Sequence, residues 1–150
     1  MEVFSLALFL LISLTPKHIM VGHMTSLGCG WNGKMGASGI TYDCKTPIAA
    51  HKTFPFGTIV RVTNIDPKSK LFKKSTVVLI YERGPYGAGR VLDAQPVVVN
   101  EIAGKGKGGV RVKLEVLSSK YACNGFKCLK KKFGSSNIPD NVLLEMKVME

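Results

Sequence analysis

Ala49-Ala50-His51-Lys52-Thr53-Phe54-Pro55-Phe56-Gly57-Thr58 and, further along, Tyr81-Glu82-Arg83-Gly84-Pro85-Tyr86 are two corners punctuated by Gly and Pro, with strand-like sequence between them. Thr58–Asn64 reads Thr-Ile-Val-Arg-Val-Thr-Asn and Ser75–Tyr81 reads Ser-Thr-Val-Val-Leu-Ile-Tyr. Both are β-branched runs, and the second is apolar on both faces, so the first is expected to be a half-exposed strand and the second a central one. Asp66-Pro67-Lys68-Ser69-Lys70 is a turn between them, with a basic, solvated extension through Lys74. Each corner carries ionisable side chains. A His and a carboxylate on the rim of a small barrel have the equipment for acid/base chemistry, and an Arg beside the carboxylate suits an anionic or sugar substrate.

The flanks extend the same pattern. Gly109–Leu117 alternates cleanly, with Val110, Val112, Leu114 and Val116 on one face and Arg111, Lys113 and Glu115 on the other, which predicts a half-buried strand. Pro96–Ala103, closed by Gly104, has Pro in a first-turn position and Gly just past the end; a short helix fits despite three consecutive valines. The stretch from Gly28 to Gly39 is too rich in breakers to be helical and reads as a short strand and a long loop. Gly104-Lys105-Gly106-Lys107-Gly108-Gly109 lacks the spacing and the Ser/Thr of a phosphate loop and reads as a basic loop. Several short strands, a brief helix and Gly/Pro corners point to a small closed or nearly closed β-barrel. With 150 residues, 45% of them hydrophobic, the chain has material for one compact domain.

Lys and Arg number 21 against 10 Asp and Glu, a net charge of +11, with a dense patch at Lys127, Lys130, Lys131 and Lys132. Such a charge favours anionic partners or a solubilising surface, and the Lys-rich end carries no recognisable nucleic-acid module. Val3–Leu14 is an apolar run of about a dozen residues, short of the roughly 20 a membrane span needs, and suits the core of a signal peptide. A leader over residues 1–22 and a secreted, periplasmic or cell-envelope location are therefore expected, with no membrane span in the mature form. Glu2 in place of a Lys or Arg, and the want of a small-x-small site soon after Leu14, keep open a short attached helix instead. Four cysteines in a secreted chain suggest disulfides. Cys29 with Cys44 and Cys123 with Cys128 are the favoured pairs, although three connectivities are possible. No metal site is expected: the C-x4-C at Cys123 has no second half, and His18 and His23 fall in the leader region.

Taken together, Gly33–Gly39, Tyr42-Asp43, Ala49–Thr58, Arg61–Asn64, Glu82–Pro85, Gly89–Asp93 and Val110–Leu117 resemble the RlpA-like double-psi β-barrel family, in the family's order from about Thr25 to Leu117. The resemblance implies a mostly β fold, a six-stranded double-psi barrel with one or two short helices, over residues 23–118, followed by a basic, Cys-containing extension over 119–150. It also implies lytic transglycosylase activity on peptidoglycan, forming anhydro-muramoyl ends without a cofactor, in a chain read as a monomer. In the enzymatic members the functional residues are the carboxylate of an Asp-Arg-Gly-Pro motif and the His of Ala-Ala-His. His51 matches the second and Glu82 stands where the Asp is expected. Glu82 thus becomes the candidate acid/base, with His51 binding substrate or tuning it. Arg83, Asp93, Tyr86 and Lys52 are the candidate substrate-binding residues, with capping of the Pro96 helix as the alternative role for Asp93. Trp31 and Tyr81 are further candidates for a sugar-stacking groove.

The chain departs from the family pattern at Glu82, longer than Asp by one methylene or about 1.5 Å. It also has Gly36 where Thr is usual and Ala94-Gln95 after Asp93 where Leu-Ser is usual. The family's C-terminal peptidoglycan-binding repeat domain is expected to be missing. These departures sustain a second reading, a non-catalytic, expansin-like protein that binds cell-wall polysaccharide, since expansins share the barrel.

Overall fold

A computed structural model describes residues 18–150; residues 1–17 of the expected 1–22 leader, Val3–Leu14 among them, lie outside the described residues. Six strands, β1 (Ile19–Ser26), β2 (Ile48–Ala50), β3 (Ile59–Asn64), β4 (Ser75–Glu82), β5 (Arg90–Ala94) and β6 (Gly109–Ser118), close into a barrel in the order β1-β5-β2-β4-β3-β6. β1 runs parallel to β5 and β2 parallel to β4, and the other neighbours are antiparallel. This is the mixed barrel that the resemblance implies. Among the described residues there are three short helices rather than one or two: α1 (Pro96–Ile102), α2 (Cys128–Phe133) and α3 (Asp140–Met149). The additional helices belong to residues 119–150.

β1 begins at Ile19 and pairs with β6 from Ile19 opposite Glu115 to Thr25 opposite Gly109. The 22/23 boundary therefore falls within a strand, and the barrel takes in Ile19–Gly22. In sequence this strand is obscured by the apolar run before it and by its own Gly22, whose missing side chain leaves the space that Val91 of β5 fills. α1 follows its sequence signals. Pro96 opens it, Val98, Val99 and Ile102 turn inward, and Gly104, at φ +104°, closes it by donating its N–H to the Val99 carbonyl. Burial of that stripe outweighs the weak helix propensity of valine.

The core has two compartments. Met24, Val60, Val62, Val78, Ile80, Leu92, Val110, Val112 and Leu114 fill the barrel, closed off by Val98, Val99 and Ile102 of α1. Ile59, Val77, Leu79 and Tyr81 face outward into a second cluster with Ile40, Ile48, Phe56, Leu129, Ile138, Val142 and Met146. Period-two geometry explains the split: alternate residues of β4 point to opposite faces, and both faces are covered. The outer cover comes from α2 and α3. Arg61 holds α3 through a 2.8 Å bond to the Met149 carbonyl, and Lys120 pairs with Glu145 at 3.2 Å. Cys29 is bonded to Cys44 and Cys123 to Cys128.

Leu129, fully buried beneath β4, is the inward anchor of α2. Leu129→Ala is expected to lower stability by about 2–5 kcal/mol through lost burial and a residual cavity, measured as a shift in the urea midpoint without a change in slope.

Candidate functional site

β4 ends at Glu82, where the buried run meets the rim of the barrel. Ala50 of β2 lies opposite Glu82 on one side and Asp93 of β5 on the other. Residues directly opposite in a sheet share a face, so two acidic positions flank Ala50 with their Cα atoms about 10 Å apart, two strand spacings. The Glu82 carboxylate is held at both oxygens. Oε2 accepts from the Ala37 N–H and from the Tyr42 hydroxyl, both at 3.0 Å, and Oε1 accepts from the Arg83 N–H at 2.9 Å. Burial, reinforced by the Glu82 charge, pushes the Tyr42 phenol well above its ordinary range, so Tyr42 remains a protonated donor.

Behind Tyr42 the polar chain enters the core. Tyr42 meets Tyr81 edge-on at 5.1 Å, and the Tyr81 hydroxyl accepts from Gln95 Nε2 at 2.7 Å. Burial, then proximity to Tyr42, raises the Tyr81 pKa as well. Gln95 is fully buried, and its Oε1 has no hydrogen-bond partner among the described residues. In front of Tyr42 stands Trp31, half exposed, with ring centroids 6.0 Å apart. Asp93 accepts from the Thr25 hydroxyl at 3.0 Å; burial raises its pKa, against the opposing pulls of Thr25 and Arg90. It does not cap α1, whose first cap position is Gln95 with no side-chain cap bond.

His51 is arranged differently. Its backbone N–H donates to the Glu82 carbonyl at 3.1 Å, but its imidazole turns into its own corner. Nδ1 accepts from the Thr53 and Phe54 N–H groups at 3.1 and 2.9 Å, the ring stacks on Phe54 with centroids 3.7 Å apart, and Nε2 rests 3.4 Å from Met20 Sδ. An Nδ1 that accepts two N–H bonds is unprotonated, which fixes the ring as the Nε2–H tautomer. The side chain is 2% exposed, and burial, with smaller contributions from Arg83, His18 and Lys52, lowers its pKa from 6.5 to about 4. The imidazole is therefore neutral at pH 7 and tied to the turn.

Arg83 joins the two corners. Its guanidinium donates from one nitrogen to the His51 and Phe54 carbonyls at 3.1 and 2.8 Å and lies 4.0 Å over the Phe56 ring. Burial lowers its pKa, opposed by Glu82 and Tyr86. Lys52 is exposed on the His51 corner, and Tyr86 is 82% exposed beyond Glu82. The structure thus brings Glu82, Asp93 and Tyr42 to one face and leaves Tyr86 and Lys52 at the surface. The His51 imidazole and one nitrogen of the Arg83 guanidinium bond to the turn. Tyr42, Thr25 and the Ala37 N–H are site groups that motif reading did not single out as such. Tyr42 lies 40 residues from Glu82 in sequence, a few residues before β2, whose pairing with β4 sets Ala50 opposite Glu82. Among the described residues no group of three or more His, Cys, Asp or Glu side chains forms a metal-ligand set.

A family described as lytic transglycolase matches residues 28–114. The endolytic peptidoglycan transglycosylase RlpA of Pseudomonas aeruginosa is 38% identical over 96 residues, covering 64% of this chain and 27% of that protein. The protein of the same name from Campylobacter jejuni is 31% identical over 116 residues, 77% of this chain and 35% of that one. The chain therefore spans about a quarter to a third of the length of these curated relatives. Among solved structures, the apo expansin of Clavibacter michiganensis superposes with a TM-score of 0.50 at 14% identity, over 67% of this chain and 51% of that one, a likeness of fold.

The neutral His51 makes stability depend on pH. Its folded pKa lies below the unfolded value, so its contribution is fully present above about 6.5, declines as pH falls towards about 4, and is gone below that. The loss over this window is of order 3 kcal/mol. His51→Asn, which keeps an acceptor for the turn but does not titrate, is expected to flatten this part of the profile in urea denaturation run from pH 7 to pH 4.

Proposed function

The chain belongs to the lytic transglycolase family that its residues 28–114 match, and on that basis we propose that it cleaves peptidoglycan glycan strands with Glu82 as the acid/base. The observation that carries the proposal is the Glu82 carboxylate at the barrel rim, oriented by Ala37, Tyr42 and Arg83. In its protonated form Glu82 gives its proton to the glycosidic oxygen as the C1–O bond breaks. The carboxylate then takes the proton of the same sugar's C6 hydroxyl as that oxygen closes on C1. The product is an anhydro-muramoyl end, no water is consumed, and one carboxyl serves both steps. This differs from the two-carboxylate arrangement of ordinary glycoside hydrolysis.

The remaining residues take subsidiary roles in this reading. Trp31 and Tyr42 form an aromatic ledge leading to Glu82, suited to stacking a sugar face. Asp93, across Ala50, is placed to meet hydroxyl or amide donors of the adjoining sugar, while Lys52 and Tyr86 border the approach. His51 and Arg83 act at one remove. They fix the corner from which the His51 N–H reaches the Glu82 carbonyl, so both are positioning residues. The two disulfides support an extracytoplasmic location, since such bonds persist in oxidising compartments.

The test is incubation with intact and with peptide-stripped peptidoglycan, followed by mass spectrometry for anhydro-muramoyl ends. Glu82→Gln is expected to lower their formation by about 10²–10⁴-fold while leaving the thermal midpoint within a few degrees. If the parent yields no anhydro ends yet sediments with the insoluble wall, the catalytic reading fails and the chain is a binding barrel.

A further inference from the structure

We infer that Gly36 and Glu82 are a matched pair: the side chain missing at position 36 leaves the space in which the end of the longer acid sits, so Gly36 determines where the carboxylate stands. Gly36 is buried, and its φ lies outside the left-handed region, so the backbone does not require glycine there. Space does. A Cβ on residue 36 would stand 2.9 Å from Glu82 Oε2, 3.4 Å from Glu82 Cδ and 3.3 Å from the Ile40 carbonyl oxygen. The first distance is closer than real Cβ atoms come, and one of the two groups must move.

The backbone at 36 is the less free of the two. Gly36 N–H donates to the Ile40 carbonyl at 2.9 Å, its carbonyl accepts from Gly39 at 3.0 Å, and the neighbouring residue Met35 bridges to Thr41. A side chain at 36 would therefore push out the carboxylate, which would have to retreat by about half an ångström or more to reach an ordinary contact. Its bonds to Ala37 N–H and Tyr42 would lengthen together, because both end on the displaced Oε2. The extra methylene of Glu over Asp thus need not carry the acid outward into the groove. Oε2 lies back against residues 36 and 37, in a pocket that only glycine leaves open.

The kinetic arm of the test rests on the reading of Glu82 as the reacting acid, and the structural arm on geometry alone. Gly36→Ala, Glu82→Asp and the double variant are compared by the rate of anhydro-end formation and by hydrogen exchange of the Ala37 amide. Gly36→Ala alone is expected to slow the reaction on the order of ten- to a hundredfold, the usual consequence of a misplaced reacting group. Its Ala37 amide should exchange at least about tenfold faster than in the parent. Adding Glu82→Asp should recover at least about fivefold of the lost rate, although the same change slows the parent, because the shorter acid leaves room for Cβ. Multiplicative losses, or an Ala37 amide that Gly36→Ala leaves unchanged, would overturn the pairing. If Gly36→Ala fails to fold, folding of the double variant supports the pairing and its failure to fold overturns it. An inactive parent whose Ala37 amide responds as described leaves the pairing standing and removes the catalytic reading; an active parent whose variants lose rate multiplicatively does the reverse.

Discussion

Strand β4 has no solvent face, and the architecture is built around that constraint. Val78 and Ile80 belong to the barrel interior, and Val77, Leu79 and Tyr81 to the outer cluster. A barrel alone would bury only the first set. The second set needs another layer, and residues 119–150 provide it through Leu129, Ile138, Val142 and Met146. Apolar area removed from water on both sides leaves this strand little freedom, since interiors are packed as tightly as organic crystals. Glu82 is its last residue, and so a carboxylate at the rim is mounted on a strand packed on both faces.

The ionisable groups at that rim divide by environment. Glu82 meets donors on both oxygens and remains half-buried at the edge. His51, one corner away, meets two N–H donors on one nitrogen and a stacked ring on its face, which suits a neutral imidazole and a fixed turn. Arg83 extends from the residue next to Glu82 back to the carbonyls of His51 and Phe54, so the two corners hold their relative position through one guanidinium. Catalytic sites gain from this separation, because preorganisation of a reacting group is provided by residues that do not themselves react.

The readable parts of the chain were those whose cause is local. The alternation of Val110, Val112 and Leu114 with Arg111 and Lys113 marked β6, the two-sided apolar run marked β4, and Pro96 with Gly104 marked α1. β1 was not readable as a strand, because Gly22 and His23 break its pattern and half of its residues are exposed. The compact C-terminal layer was hidden in a lysine-rich segment whose inward positions are few: Leu129 alone among the six residues of α2 is buried. At the candidate site, the motifs drew attention to Glu82 and to the corner that contains His51. They did not show the direction in which the imidazole turns, which depends on the Thr53 and Phe54 amides, nor Tyr42, which lies a few residues before β2 and meets Glu82 where β2 pairs with β4.

The placement of β1 has a consequence for how the chain becomes a barrel. Its partners are β5 and β6, so Met20 finds Leu114 and His23 finds Arg111 only across most of the domain. Contacts so distant in sequence incur their loop-closure entropy before they return any burial, which slows folding. A chain emerging from its N-terminus therefore carries β1 as an open edge, with unpaired amides and carbonyls, until its last strand is available. Open edges invite pairing with other chains. The interval between the appearance of β1 and that of β6 is therefore the one in which this edge stands uncovered.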